Sequence, residues 1–214
     1  MFLNSEFEFY SLLAENMAVL HDVDPQVLNN LPSFSGDRPF IWDYIEQLFA
    51  FINKELPDVF KIPKVKQIYG SMEEIRGLVL ELKENIDKFA AHPACSLALC
   101  HNDLLFTNII YKKETGDLKI IDFEFGNSNY CSFDIGNIFD EFAGIEPIES
   151  IDYSRYPDHD YQIKWIKHYL KHRKSTVIVD SVNKVGLDQL AEQFYVVTQN
   201  MSLVNQIIFV YSIE

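Results

Sequence analysis

The sequence predicts a mainly helical α+β fold, and three observations carry that expectation. Apolar residues recur at three- and four-residue spacing over 6–20, 41–53, 75–89 and 160–172, the pattern of helices that bury one face. Strand signals are few and sit together. Ile109-Ile110-Tyr111 and Leu118-Lys119-Ile120-Ile121 flank Glu114-Thr115-Gly116-Asp117, a hairpin turn by composition. The 214 residues are 48% hydrophobic, enough for one sizeable core, so 1–214 reads as a single unit.

Taken in order, the first helix puts Phe9, Leu12, Leu13, Met17 and Leu20 on one face and runs into His21. His21 is read as structural, a cation closing the helix C-terminus. Pro25, Pro32, Gly36 and Pro39 make 25–39 a loop. The second helix turns Ile41, Tyr44, Ile45, Leu48, Phe49 and Ile52 inward, and Pro57 and Pro63 bracket a connector. Ser71 and Glu74 form a capping box for the third helix, whose apolar positions run from Ile75 to Phe89. Phe133-Asp134-Ile135-Gly136-Asn137 opens another helix. Asp134 suits either its N-cap or a brace for the preceding loop. A loop with Tyr153, Tyr156 and Pro157 leads into the 160–172 helix, which directs Trp165, Ile166, Tyr169 and Leu170 inward. A last apolar helix spans 187–213, broken or kinked near Asn200.

The chemistry is concentrated in 97–142. His101-Asn102-Asp103 is followed by Asn108 and, after the hairpin, by Asp122-Phe123-Glu124. Protein kinases carry H-R-D-L-x-x-x-N and D-F-G in this layout. Here Asn102 replaces the Arg and Glu124 the Gly, so the stretch is a relative of that pattern and not a protein kinase. Phosphoryl transfer needs a positioned nucleophile and neutralised phosphate charge more than covalent help. Magnesium takes oxygen ligands, which Asn108 and Asp122 offer, leaving Asp103 to accept or orient the proton of an attacking hydroxyl. Asn108 starts one strand and Asp122 ends the other, which places both at one open end of the hairpin. His101, Glu124 and Asp134 are expected to brace the loop.

HNDLLFTNIIY, IDFEF, NYCSFDIGN and FDEFAG resemble the choline/ethanolamine kinase family, and Asn-Ile-Ile-Tyr and Glu-Phe-Ala-Gly are more like its ethanolamine branch. The resemblance runs from about Glu8 to about Phe194. It implies the large C-terminal lobe of a protein-kinase-like fold, of the choline kinase and aminoglycoside phosphotransferase type. It places the small lobe, with its phosphate-covering loop and Lys, before residue 1, and a final helix after Glu214, so the chain is expected to be truncated at both ends and the 214 residues alone to be a weak or inactive catalyst. It implies ATP-dependent phosphorylation of ethanolamine to phosphoethanolamine with ATP and Mg²⁺, in phosphatidylethanolamine synthesis. Asp103 is then the base, Asn108 and Asp122 the magnesium ligands, and Glu141 the partner of the substrate ammonium. Tyr153 beside that carboxylate suits a cationic headgroup, or packing under its loop. Ser202 and Asn205 fall near two headgroup-lining Trp positions of the family. Choline kinase is the near alternative. A non-catalytic lobe that pairs with a full-length kinase is the alternative from another class.

The net charge of −14 argues against nucleic acid and anionic lipid as partners. Cys95, Cys100 and Cys131 are sparse and odd in number, which suits free thiols in the cytoplasm. Their spacing with His92 and His101 fits no common zinc site. No secretory signal opens the chain, and no apolar run reaches the roughly 18 residues of a membrane span. If Phe7, Phe9, Leu12 and Leu13 are left partly bare, self-association into a homo-oligomer follows.

Overall fold

The computed structural model describes residues 4–144 and 151–211. The Phe7 side chain, the 146–150 part of the tyrosine-containing loop, and 212–213 lie outside that description. Eight helices and two antiparallel strand pairs alternate as α1 (Asn4–His21), α2 (Phe40–Glu55), α3 (Pro63–Tyr69), α4 (Met72–Asp87), β1 (Leu97–Cys100), β2 (Ile109–Lys112), β3 (Asp117–Ile120), β4 (Asn127–Tyr130), α5 (Cys131–Ala143), α6 (His159–His172), α7 (Thr176–Val185) and α8 (Leu187–Tyr211). Among the described residues no helix is long and apolar enough to cross a membrane.

The core is built where α5, α6 and α8 meet, around Phe133, Phe139, Trp165, Tyr169 and Phe194, all at most 1% exposed. Leu13 and Met17 of α1 are fully buried there, while Phe9 and Leu12 pack against its edge. Phe9 and Leu12 keep part of their surface exposed, and among the described side chains of the face on which self-association was argued only Leu13 is closed off completely. Between α5 and α8 the approach is close. A Cβ on Gly136 would stand 2.8 Å from the Ser202 backbone nitrogen, so only glycine fits.

α4 begins at the Ser71–Glu74 capping box, both reciprocal bonds of which are present. The β2–β3 hairpin pairs Ile109 with Ile120 and Lys112 with Asp117, and Gly116 supplies the positive φ the turn requires (71°). Three elements go beyond the sequence expectation. α3 follows Pro63 at its first turn and ends at Gly70. α7 opens on Thr176-Val177-Ile178-Val179, a β-branched run of low helix propensity, and buries Ile178 against the core. β4 is polar, yet it pairs with β1 from Leu97↔Tyr130 to Cys100↔Asn127. Its Asn127 side chain accepts from Ser35 N (3.0 Å) and donates to Ser33 O (2.8 Å), so the buried amide is satisfied by the loop before α2. α8 is continuous at Asn200, where a break was one of the expectations. The Asn200 amide bonds back to Val196 O at 2.9 Å and leaves the helix ladder intact.

Candidate active site

The catalytic-type loop, 101–108, hangs from one face of α5. Asp134, Asn137 and Glu141 lie one and two turns apart on that face, and each accepts from loop backbone amides. Asp134 takes His101 N on Oδ2 (2.7 Å) and Asn102 N on Oδ1 (2.9 Å). Asn137 Oδ1 takes Leu104 N, and Glu141 Oε2 takes Phe106 N at 2.6 Å. Asp134 is therefore a brace within the first turn of α5; the N-cap is Tyr130. A loop outside regular structure has amides to satisfy, and one helix face satisfies four of them.

Asp134 is itself held from behind. His21 Nε2 lies 3.1 Å from its Oδ2, and His21 Nδ1 lies 2.7 Å from Tyr169 Oη, which also accepts from Arg173. Donors and acceptors agree on one direction: Arg173 to Tyr169, Tyr169 to a neutral His21, His21 to Asp134. Burial pushes the His21 pKa down, against the pull of Asp134, and burial likewise keeps Tyr169 a phenol. The expected cation at the end of α1 is thus a neutral, buried bridge. Burial alone would raise the Asp134 pKa, but the hydrogen bonds from His21 and the His101 amide hold it below the usual carboxylate range.

The loop is also tied to the segment after the hairpin. His101 Nε2 donates to Ile121 O at 2.8 Å, and its Nδ1 faces Asp103 N at 3.3 Å, which fixes the tautomer. Phe123 lies against the His101 ring, centroids 4.7 Å apart. Asn102 Nδ2 donates to Phe125 O at 2.8 Å, while Asn129 Nδ2 donates to Asn102 Oδ1 at 2.8 Å. Among the described residues only Asn102 (φ 67°) and Asp122 (φ 63°) are non-glycine residues with positive φ. Such conformations cost on the order of 1–3 kcal/mol each and persist where surrounding contacts over-determine them.

These constraints bring Asp103, Asn108 and Asp122 together. Asn108 Nδ2 donates to Asp103 O (2.9 Å) and to Asp103 Oδ2 (3.3 Å), and Ile121 N bonds Asn108 O at 2.9 Å. The Asp103 carboxyl is half-buried. Burial raises its pKa, the nearby Glu124 and Asp122 charges add to that, and His101 and the Asn108 amide oppose it. Burial also raises Glu141, with the Asp103 charge adding and the Phe106 amide opposing.

A match of the choline/ethanolamine kinase family profile covers residues 4–212. The chain belongs to the choline/ethanolamine kinase family. Ethanolamine kinase 2 of Rattus norvegicus is 32% identical over 171 residues, 80% of this chain and 40% of the rat protein. Ethanolamine kinase 1 of Homo sapiens is 49% identical over 75 residues, 35% of this chain and 16% of the human one. A solved Plasmodium vivax ethanolamine kinase superposes with TM-score 0.62 at 21% identity, covering 98% of this chain and 59% of that one, which supports the kinase-like lobe as the fold. The chain thus spans about two fifths of the length of the rat relative.

Not every residue singled out by sequence joins the site of this family member. Glu124 is exposed and, among the described residues, makes no hydrogen bond to the loop, so the bracing expected of it falls to Asn102. Tyr153 is 62% exposed with no ring partner among the described residues. Tyr156 is the tyrosine of that turn that is partly buried, with Oη 3.3 Å from Ser202 Oγ. Ser202 donates to Asp140 Oδ1 (2.6 Å) and Asn205 to Phe133 O (3.1 Å), both inside the α5–α8 seam. Both are buried, so they do not line an open headgroup pocket. Sequence reasoning passed over Asn102, Asn129 and Asn137. Their signal was available as polar residues at at least partly buried positions, though no periodicity announces it.

Proposed function

We propose that this site transfers the γ-phosphoryl group of MgATP to the hydroxyl of ethanolamine, giving phosphoethanolamine for phospholipid synthesis. The observation that carries the reading is Asp103. A half-buried carboxylate with a raised pKa stands beside Asn108 and Asp122 on a loop whose amides are locked to α5. The raised pKa suits a group that takes the hydroxyl proton as the oxygen attacks phosphorus. Asn108 has committed its Nδ2 to Asp103, which leaves Oδ1 as the atom for a cation. The Asp122 carboxylate is exposed and makes no hydrogen bond among the described residues. Two hard oxygen donors at one open end fit Mg²⁺, which when bound would neutralise phosphate charge. Glu141 has one oxygen on Phe106 N and a second to offer the substrate ammonium. The names of the relatives support ethanolamine as the acceptor.

The test is ethanolamine-dependent ADP release by the 214 residues joined to a family small lobe, with and without Asp103→Asn. A fall of about 10²-fold or more in kcat is the scale of an acid–base role. Equal turnover by the two proteins removes Asp103 from the mechanism. Absence of ethanolamine-dependent release by the 214 residues joined to a family small lobe, at saturating ATP and Mg²⁺, overturns the reading; absence with the 214 residues alone is the expected result.

A further inference from the structure

Outside the phosphotransfer site, two groups of three metal-type ligands lie close together among the described residues. His21, Cys100 and Asp134 form one. They are fully buried, and His21 and Asp134 are already committed to the loop brace. The other is Glu15 of α1 with His168 and His172 of α6, and no part of the mechanism uses it.

We propose that Glu15, His168 and His172 form a site for a borderline divalent ion of the zinc type, which would join α1 to α6. The two histidines stand four positions apart on one helix face, with ring centroids 4.6 Å apart. Glu15 Oε1 is 2.8 Å from His168 Nε2 and 3.7 Å from His172 Nε2. Ligand atoms about 2.0–2.1 Å from a tetrahedral ion lie about 3.3 Å apart, and the three atoms here lie within 4.8 Å of one another, so an ion that displaces the proton shared by His168 and Glu15 needs only small side-chain shifts. The tautomer is prepared on one side. His172 Nδ1 donates to His168 O at 2.9 Å, which leaves its Nε2 lone pair on the Glu15 side. All three side chains are part-exposed, 28% for His168, 41% for His172 and 39% for Glu15, so the ion has a path in and a fourth position for water. Two imidazoles and one carboxylate select zinc-like ions over magnesium.

One feature opposes binding. His168 also borders a cleft of about 500 Å³ that carries Lys164, Lys167 and Lys171. Lys167 is neutralised by Asp188 at 2.8 Å, and the chain as a whole carries −14.

The experiment is a Co²⁺ titration of the 214-residue chain, free of any histidine tag, followed through the visible ligand-field band and then by displacement with Zn²⁺. The intense band is expected to report one ion per chain, because Co²⁺ held by the oxygen donors Asn108 and Asp122 absorbs only weakly. His172→Ala and Glu15→Gln should each weaken binding at least tenfold, and Asp122→Asn should leave it unchanged. At a hundredfold excess of Zn²⁺ over Kd, linkage should raise Tm by about 5–10 °C. Absence of the band would show the three residues to be an ordinary ion-pair cluster and overturn the proposal. So would a band that survives His168→Gln/His172→Ala, or one lost in Asp122→Asn.

Discussion

Asp134→Asn should be clearly damaging, at about half the cost of Asp134→Ala, although it is the closest isostere. The carboxylate accepts three hydrogen bonds, from His101 N, Asn102 N and His21 Nε2, and is fully buried. Alanine leaves those donors facing an empty space. A buried donor left unsatisfied costs about 1–3 kcal/mol, and three donors lose their acceptor here, so we expect about 3–5 kcal/mol for Ala. Asparagine keeps one acceptor but turns an NH₂ group toward donors, and should still cost about 2 kcal/mol or more. In a chain of this size that is a fall in Tm of about 5 °C for Asn and about 10 °C for Ala. Urea unfolding at unchanged m separates a loss of stability from a change in the unfolded state. The sign with pH is fixed. The folded Asp134 pKa is lowered, so its contribution is present above the unfolded carboxylate value and fades as pH falls through the folded one. The gap between wild type and Asn should therefore narrow in acid. An Asn variant within about 0.5 kcal/mol of wild type at pH 7 would refute the reasoning, since it would show the three bonds to be worth no more than a surface change.

Three further outcomes follow from the same packing. Asp140 is buried against α8, and burial raises its pKa to about 7 despite bonds from Ser202 and Gln206. The folded state then holds a proton the unfolded state has lost, stability declines as pH rises from about 4 to about 7, and Asp140→Asn should flatten that decline; parallel curves for both proteins would contradict it. Gly136→Ala drives a methyl into the Ser202 backbone and should cost about 1–3 kcal/mol by forcing α5 from α8, measured by the shift in the denaturant midpoint. Cys95, Cys100 and Cys131 are free and buried, with burial pushing the Cys95 pKa up to about 12, so a thiol reagent should modify them only on unfolding; fast labelling of the native chain would count against this packing.

What the sequence made legible and what it concealed divide along physical lines. α1, α2, α4 and α6 were legible because each buries one stripe against a polar face. α7 was not, because its β-branched opening argues for a strand and only tertiary burial of Ile178 overrides it. The juxtaposition of Asp103, Asn108 and Asp122 was legible because a single hairpin creates it, and hairpins are local. The brace around them is not local. Asn102 is held by Asn129 and Phe125, and Asp134 by His21, 113 positions away, so no window of sequence contains the arrangement.

The failure at Ser202 and Asn205 points the same way. Their register against a headgroup pocket was inferred along α8 alone, but the placement of α8 is decided by Gly136 on α5. That contact has a consequence for the loop. One side of α5 holds the loop amides through Asp134, Asn137 and Glu141, while Gly136 and Asp140 on another side are locked to α8 by the Ser202 backbone and side chain. α5 cannot shift against α8 without carrying the loop with it. Substitutions in the α5–α8 seam, far from Asp103 along the chain, should therefore disturb the geometry of Asp103 as well as stability. Surface changes on α7, which buries little, should do neither.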